Sequence, residues 1–148
     1  MEFQKIFSGK GVPQILHLGY RLKHNTRRKG QRKGEINYFD CVNQDCYATL
    51  RTLGDADGDL TLSFHKHDQH NHAPDVAANI VAATLSEFRE TLRLNPNLQN
   101  RQLFEEIRSK AIDSVDESFR KDLETKMPAF NTISKQGQRI CAKGRIHV

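Results

Sequence analysis

Two pairs of residues that commonly bind metal ions lie within one short stretch of the chain. Cys41 and Cys46 are separated by four residues. His70 and His72 are separated by one residue and follow Cys46 after 23 others. Two thiolates and two imidazoles complete a closed tetrahedral zinc site. Because alternate residues of an extended strand share a face, both imidazoles can reach one ion while Asn71 points away. The spacing therefore predicts one structural Zn²⁺ ion.

The identity of the two histidine ligands is left open by spacing alone. His65 and His67 have the same separation as His70 and His72 and can serve instead. The number of cysteines bears on the type of site. The chain has three cysteines, an odd number that does not make a disulfide scaffold. This usage indicates a reducing compartment, in which closely paired cysteines more often bind metal.

The first half of the chain has the pattern of short strands separated by polar turns. Leu60, Leu62 and Phe64 alternate with Thr61 and Ser63, which is the period of a half-buried strand. Breaks rich in Gly or Asp separate the apolar clusters. We therefore expect an α+β protein that begins with a small, zinc-stabilised antiparallel sheet of four to five strands. The predicted strand regions are Gln14–Leu18, Gly19–Leu22, Ile36–Phe39, Tyr47–Leu53 and Leu60–Phe64.

After Pro74 the hydrophobic period becomes helical. Apolar residues at helical spacing predict a helix from about Val76 to Leu94, and the following Asn95-Pro96-Asn97 ends it. A second helical stretch runs from about Leu98 and continues or restarts through Leu123, and a short last helix follows Met127-Pro128. The prediction is thus a zinc-binding domain over residues 3–75 and a short helical region over residues 76–148.

Charge is distributed unevenly along the chain. Residues 1–34 contain nine Lys and Arg residues and one acidic residue. Such an excess of positive charge favours a polyanionic partner. The chain has no run of about 18 apolar residues, so we expect no membrane span. Its N-terminus is too short and too broken for a secretory signal. No nucleophile elbow or phosphate-cradling loop is present, so we expect neither an enzyme nor a small-molecule substrate.

Several short motifs in residues 3–75 resemble the FLYWCH-type zinc finger. In that family a histidine pair precedes a proline-containing exit, as His70 and His72 precede Pro74 here. The resemblance implies that His70 and His72 are the ligands, together with Cys41 and Cys46. Phe39 stands where the family usually has Trp. The motifs that carry the resemblance are Phe7-Ser8, Gly9, Gly11, Leu16, Gly19-Tyr20, Tyr38-Phe39-Asp40-Cys41, Cys46 and His70-Asn71-His72-Ala73-Pro74.

The FLYWCH finger is in turn similar to the WRKY and glial-cells-missing DNA-binding domains. The segment Gly19–Lys23 resembles the start of the WRKY strand that enters the DNA major groove, although the WRKY signature heptapeptide is absent. A basic run beside this strand supplies cations for phosphate contacts. We therefore predict a nuclear, duplex-DNA-binding transcription or chromatin factor. Its predicted DNA contacts are Tyr20, Arg21, Lys23, Arg27, Arg28, Lys29, Arg32 and Lys33.

A protein-interaction module is the alternative function. In that interpretation the finger is a rigid scaffold, and residues 76–148 bind a protein partner or dimerise. This region weakly resembles the segment that follows the finger in proteins related to Mutator-like transposases. Its large apolar side chains form either a partner-binding face or, more commonly, the core of a small helical bundle. They are Phe88, Leu92, Phe104, Ile107 and Phe119.

Overall fold

The computed structural model describes residues 3–25, 36–54, 60–63 and 69–134, with the backbone alone described at Leu62 and Ser63. The fold class is α+β, which confirms the prediction. An antiparallel sheet comes first in the chain, and helices follow it. The chain divides into two compact units between Asn79 and Ile80, inside the first helix. Each unit has a hydrophobic core of its own.

Within the described residues, the sheet has six strands that pair with their neighbours in chain order. All five pairings are antiparallel. Consecutive strands thus lie side by side throughout the sheet. The strands are β1 (Gln4–Phe7), β2 (Pro13–His17), β3 (Tyr20–His24), β4 (Ile36–Cys41), β5 (Thr49–Gly54) and β6 (Leu60–Ser63).

Strand β1 brings the number of strands to six, one more than the upper bound of the sequence prediction. Its four residues end in two adjacent apolar side chains and do not alternate, so no strand period marks it. A tight turn places it against β2 instead. The N–H of Ser8 donates to the carbonyl of Val12, and the N–H of Gly11 donates to that of Ser8, both at 2.9 Å. Gly11 adopts a φ of 79°, which favours glycine.

Strands β2 and β3 are joined by the two-residue turn Leu18-Gly19. Both residues have positive φ, 52° and 84°, as a type I′ hairpin requires. Glycine fits the second position for a further reason: a Cβ atom there would lie 3.0 Å from the Cβ of Pro74. The turn therefore packs closely against the segment that follows His72.

The largest buried cluster of the sheet lies on one of its faces. Ile15, Leu22 and Phe39 are fully buried, and Leu50 is buried beside them. Leu22 lies opposite Ile15 in the β2–β3 pairing, and Phe39 lies opposite Leu50 in the β4–β5 pairing. Because alternate residues of a strand share a face, Arg21 and Lys23 fall on the other side of β3.

Over residues 69–134, three helices and a fourth helical segment follow the sheet. The first helix has the bounds that its sequence period predicts, Val76 and Leu94. Asp75 begins it by accepting a hydrogen bond from the N–H of Ala78, at 3.1 Å. The second stretch is two helices rather than one, and residues 130–134 form the last segment. The helices are α1 (Val76–Leu94), α2 (Asn100–Asp113) and α3 (Glu117–Lys126).

The core of the helical unit contains the stripe that the sequence predicts for α1. Phe88 and Leu92 pack with Phe104 and Ile107 of α2 and with Ile133. The rings of Phe88 and Phe104 meet edge to face, with centroids 5.4 Å apart. Four of the five side chains proposed as an alternative partner-binding face are thus buried in a core, and Phe119 is half-buried. Among the described residues, no helix is long and apolar enough to cross a membrane.

Candidate metal centre

The two cysteines lie at the end of β4 and in the loop that leads to β5. Cys41 is the last residue of β4, and its N–H donates to the carbonyl of Ala48 at 3.0 Å. The loop turns back because the N–H of Cys46 donates to the carbonyl of Asn43 at 3.1 Å. The side chain of Asn43 also accepts a hydrogen bond from the N–H of Asp45. These contacts bring the two thiols to the same end of the sheet, where both are buried.

The two histidines are held at that same end by contacts with distant parts of the chain. The hydroxyl of Tyr20 donates to the carbonyl of His72 at 2.8 Å. Between the histidines, the side chain of Asn71 points outward and donates to the carbonyl of Asp45 at 2.7 Å. Both imidazoles are half-buried. The segment that carries them is thus tied both to β3 and to the cysteine loop.

The four side chains converge on one point. The Sγ of Cys41 lies 3.2 Å from the Nε2 of His72, and the Sγ of Cys46 lies 3.5 Å from the Nδ1 of His70. All four ligand atoms lie within 4.8 Å of one another. In a tetrahedral zinc site, the usual Zn–S and Zn–N bond lengths place sulfur and nitrogen about 3.6 Å apart. The donor set and its spacing therefore fit a four-coordinate metal ion.

The histidines face this point through different ring nitrogens. His72 presents Nε2, while its Nδ1 lies 3.0 Å from the carbonyl of Ala73. A proton on Nδ1 satisfies that carbonyl and leaves the lone pair of Nε2 for a metal. His70 presents Nδ1 instead. The contact with the Ala73 carbonyl is the kind of outer contact that fixes the tautomer of a metal-binding histidine.

Backbone N–H groups donate hydrogen bonds to both sulfur atoms. Burial raises the pKa of the Cys41 thiol, an effect that the N–H of Asn43 opposes and neighbouring Cys46 reinforces. Burial acts on Cys46 in the same direction, but hydrogen bonds from the N–H groups of Ala48 and Asn71, together with the Cys41 thiol, bring its pKa below the ordinary value. In each case an N–H group two residues beyond the cysteine stabilises the thiolate, which is the form that binds metal.

Tyr20, one of the predicted DNA contacts, lies beside the candidate metal ligands. Its ring stacks on the imidazole of His70 with centroids 3.7 Å apart and planes 1° from parallel. The same ring meets His72 edge-on, with centroids 5.2 Å apart. No local pattern marks this arrangement, because Tyr20 and the two histidines lie about fifty residues apart in the chain.

The remaining predicted residues lie away from the ligand cluster or beyond the described part of the chain. Lys23 is exposed, and Arg21 is half-buried on the same face of β3. The alternative ligand pair, His65 and His67, lies outside the described residues. So does the basic run that was predicted to contact DNA, namely Arg27, Arg28, Lys29, Arg32 and Lys33.

Comparisons with known proteins add no relative to this picture. No protein-family model, no curated protein and no solved structure matches the chain. The candidate site therefore depends on its own geometry: two thiols, from the end of β4 and the loop that follows it, and two imidazoles, from the segment before α1, with their ligand atoms within 4.8 Å of one another.

Proposed function

We propose that this chain is a zinc-dependent DNA-binding protein that acts in the nucleus as a transcription or chromatin factor. The single observation that carries the proposal is the cluster of Cys41, Cys46, His70 and His72. Thiolate and imidazole donors in a tetrahedral set favour zinc over the hard cations, which prefer oxygen ligands. In this proposal the zinc ion stabilises the fold, and strand β3 beside it supplies contacts to DNA.

The role of the zinc ion in this proposal is structural. Four protein ligands fill a tetrahedral site and leave no position for a reacting water molecule. Zinc binding by such sites supplies about 10–16 kcal/mol near neutral pH, most of which is folding free energy. The sheet has only a small buried cluster around Ile15, Leu22, Phe39 and Leu50 to stabilise it. Domains of this size commonly need a metal or disulfides to fold.

The face of the sheet opposite this core supports the DNA-binding part of the proposal. Arg21 and Lys23 share that face, because Leu22 between them is fully buried on the other. Because the ring of Tyr20 stacks on His70, we assign Tyr20 a role at the metal. On β3, DNA contact is then made by Arg21 and Lys23. An extended strand with two cations on one face can pair Arg or Lys with guanine in the major groove.

A third cation joins the same face from β5. Lys23 lies opposite Asp40 on β4, and Asp40 lies opposite Thr49 on β5. Arg51, two residues beyond Thr49, therefore shares their face. The one acid in this register, Asp40, accepts hydrogen bonds from Asn25 and Thr49, at 2.7 and 3.0 Å. Arg51 is thus a candidate DNA contact that the sequence pattern does not single out.

The basic run between β3 and β4 adds to the charge available for DNA. No acid occurs from Lys5 to Gly34 in the sequence. If six cations of residues 23–33 neutralise phosphates, the logarithm of the binding constant falls against that of salt concentration with a slope of about −5. Such a slope gives the proposal a measurable electrostatic signature.

The test is a titration of the zinc-loaded full chain with duplex DNA at several salt concentrations. We expect Lys23→Ala to weaken binding and to reduce the salt slope by about 1, and the combined Arg27→Ala, Arg28→Ala and Lys29→Ala variant to reduce it by about 3. Lys121→Ala, an exposed lysine of α3, is the matched control and leaves both unchanged. Unchanged affinity and slope in both variants would remove the proposed mechanism. Tighter binding to a matched RNA duplex would overturn the assignment to DNA.

A further inference from the structure

We infer that Tyr20 is a positioning residue of the metal centre, holding the imidazole of His70 and the backbone of His72 in the arrangement that receives one metal ion. The inference rests on the zinc site of the proposed function. It gives β3 two roles: its first residue supports the metal, and the next residues on its outer face are directed at DNA. Nothing in the local sequence around Tyr20 indicates the first of these roles.

The hydroxyl of Tyr20 fixes the position of one ligand. It donates to the carbonyl of His72 at 2.8 Å, across 52 residues of sequence. Since the Nδ1 of His72 is occupied by the carbonyl of Ala73, the ring and the backbone of His72 are held by separate hydrogen bonds. This leaves Nε2 directed at the Sγ of Cys41, 3.2 Å away.

The ring of Tyr20 fixes the orientation of the other ligand. It lies parallel to the imidazole of His70, with 3.7 Å between centroids. Two neutral rings disfavour such a face-to-face arrangement, because the negative faces of their π-systems repel each other. An imidazole that donates its lone pair to a cation becomes electron-poor and is attracted to the electron-rich face of a phenol. The stack therefore favours the metal-bound state of His70 and, by linkage, tightens metal binding.

Other contacts hold Tyr20 itself in place. Its ring also packs against the buried cluster of Ile15, Leu22, Phe39 and Leu50. It follows the turn residue Gly19, whose carbonyl accepts a hydrogen bond from the side chain of Asn79. The ring is thus built into the sheet before any ligand is added, which is what preorganisation of a metal site requires.

The experiment compares Tyr20→Phe and Tyr20→Leu in the full chain by two measurements. Zinc affinity is measured by competition with a chromophoric chelator, and ligand geometry by the ligand-field spectrum of the Co²⁺ form at saturating metal. Tyr47→Leu is the matched control, because Tyr47 adjoins Cys46 but is 88% exposed. Ile6→Val controls for stability, since it trims a buried side chain of β1 that belongs neither to the ligand cluster nor to the core cluster around Tyr20.

We expect Tyr20→Leu to lower zinc affinity by about 10- to 100-fold and to alter the Co²⁺ spectrum, as changes around metal ligands do. Tyr20→Phe keeps the stack and loses only the hydrogen bond, so we expect its zinc affinity to fall by about three- to tenfold. Both controls keep the spectrum of the unchanged chain. A Tyr20→Leu protein with the affinity and spectrum of the unchanged chain would overturn the inference.

A folding failure of Tyr20→Leu leaves the decision to Tyr20→Phe, which preserves the packing of the ring. Reduced zinc affinity in Tyr20→Phe then supports the inference, and unchanged affinity with an unchanged Co²⁺ spectrum overturns it. Failure of the zinc site on which the inference rests gives a different result, because the unchanged chain would then bind no metal at all, whereas a failure of DNA binding alone would leave these zinc measurements unaffected. Metal binding by the unchanged chain with no effect in either Tyr20 variant would refute the role of Tyr20 alone.

Discussion

Asn71, at the residue scale, ties the two ligand-bearing segments together. Its side chain donates to the carbonyl of Asp45, and its N–H group donates to the sulfur of Cys46. The first contact joins the histidine segment to the cysteine loop, and the second stabilises the Cys46 thiolate. A residue that carries no ligand atom thus helps to determine where two of the ligands lie.

The substitution Asn71→Ala tests this role. We expect it to lower zinc affinity by about tenfold, because it removes the side-chain contact and leaves the ligands themselves intact. Chelator competition on the full chain measures the effect. Gln44→Ala is the matched control, since Gln44 is exposed in the same loop. Equal affinities for the two variants would show that the contact of Asn71 with Asp45 does not support the site.

The β2–β3 hairpin, at the element scale, is where the backbone is most constrained. Leu18 has a φ of 52° and is 76% exposed, so it adopts a conformation that an L-residue disfavours and gains little from burial. Gly19 has a φ of 84° and lies against Pro74. The turn brings Tyr20 to the start of β3, so its geometry bears on the metal site.

Two substitutions in this turn have opposite expected effects. Leu18→Asn should stabilise the zinc-loaded chain by about 1 kcal/mol, because asparagine tolerates positive φ. Gly19→Ala should destabilise it by about 1–2 kcal/mol or more, since the added Cβ meets both a strained φ and Pro74. In thermal unfolding, 1 kcal/mol corresponds to a midpoint shift of roughly 4–8 °C. Midpoints that move together, or not at all, would contradict this description of the turn.

Elements with a clear period could be predicted from the sequence, and those set by tertiary pairing could not. Helix α1 has its predicted bounds because its apolar residues recur at helical spacing and Asn95-Pro96 ends it. Strand β1 lacks alternation and takes its place from pairing with β2. The sequence leaves the split between α2 and α3 open, because apolar residues recur at four-residue spacing across the break, at Leu103, Ile107, Ala111, Val115, Phe119 and Leu123.

The candidate metal site could likewise be predicted only in part. The cysteine and histidine pairs are visible in the sequence because ligand type and spacing are local properties. The surroundings of the site come from distant strands. Tyr20 reaches His70 and His72 only because β3 runs beside β4 and the turn at Gly19 packs against Pro74. Contacts of that range leave no periodic signal in one sequence.

The whole molecule consists of two units with separate cores. The sheet unit is built around Phe39 and its neighbours, and the helical unit around Phe104. The division falls inside α1, between Asn79 and Ile80. The four candidate metal ligands all belong to the sheet unit. The two units should therefore respond differently to loss of metal and to damage in a core.

Removal of metal should unfold the sheet unit and leave the helices in place. We expect a strong chelator to abolish the hydrogen-exchange protection of the sheet while the helical circular dichroism of the full chain persists. The reason is that about 10–16 kcal/mol of zinc binding energy is withdrawn from one unit only. Stoichiometric zinc should restore the protection of the sheet. A chelated chain that keeps the full protection of β4 and β5 in hydrogen exchange would contradict a structural role for the metal.

Damage to the helical core should have the reverse effect. Phe104→Ala removes a fully buried ring and should destabilise the helical unit by about 3–5 kcal/mol while zinc affinity stays unchanged. Thermal unfolding followed by helical dichroism measures the first effect, and chelator competition the second. The exposed neighbour Glu105→Ala serves as control. A parallel loss of zinc affinity in Phe104→Ala would show that the two units do not fold separately.

The most direct test of zinc-dependent DNA binding is a duplex titration of the full chain with and without metal. The zinc-loaded chain should bind, and binding should weaken steeply as salt is raised. Cys46→Ser should lose binding as the chelated chain does, whereas Cys141→Ser, which changes the third cysteine, should bind like the unchanged protein. Binding by the chelated chain and by Cys46→Ser with unchanged affinity and salt dependence would contradict the account.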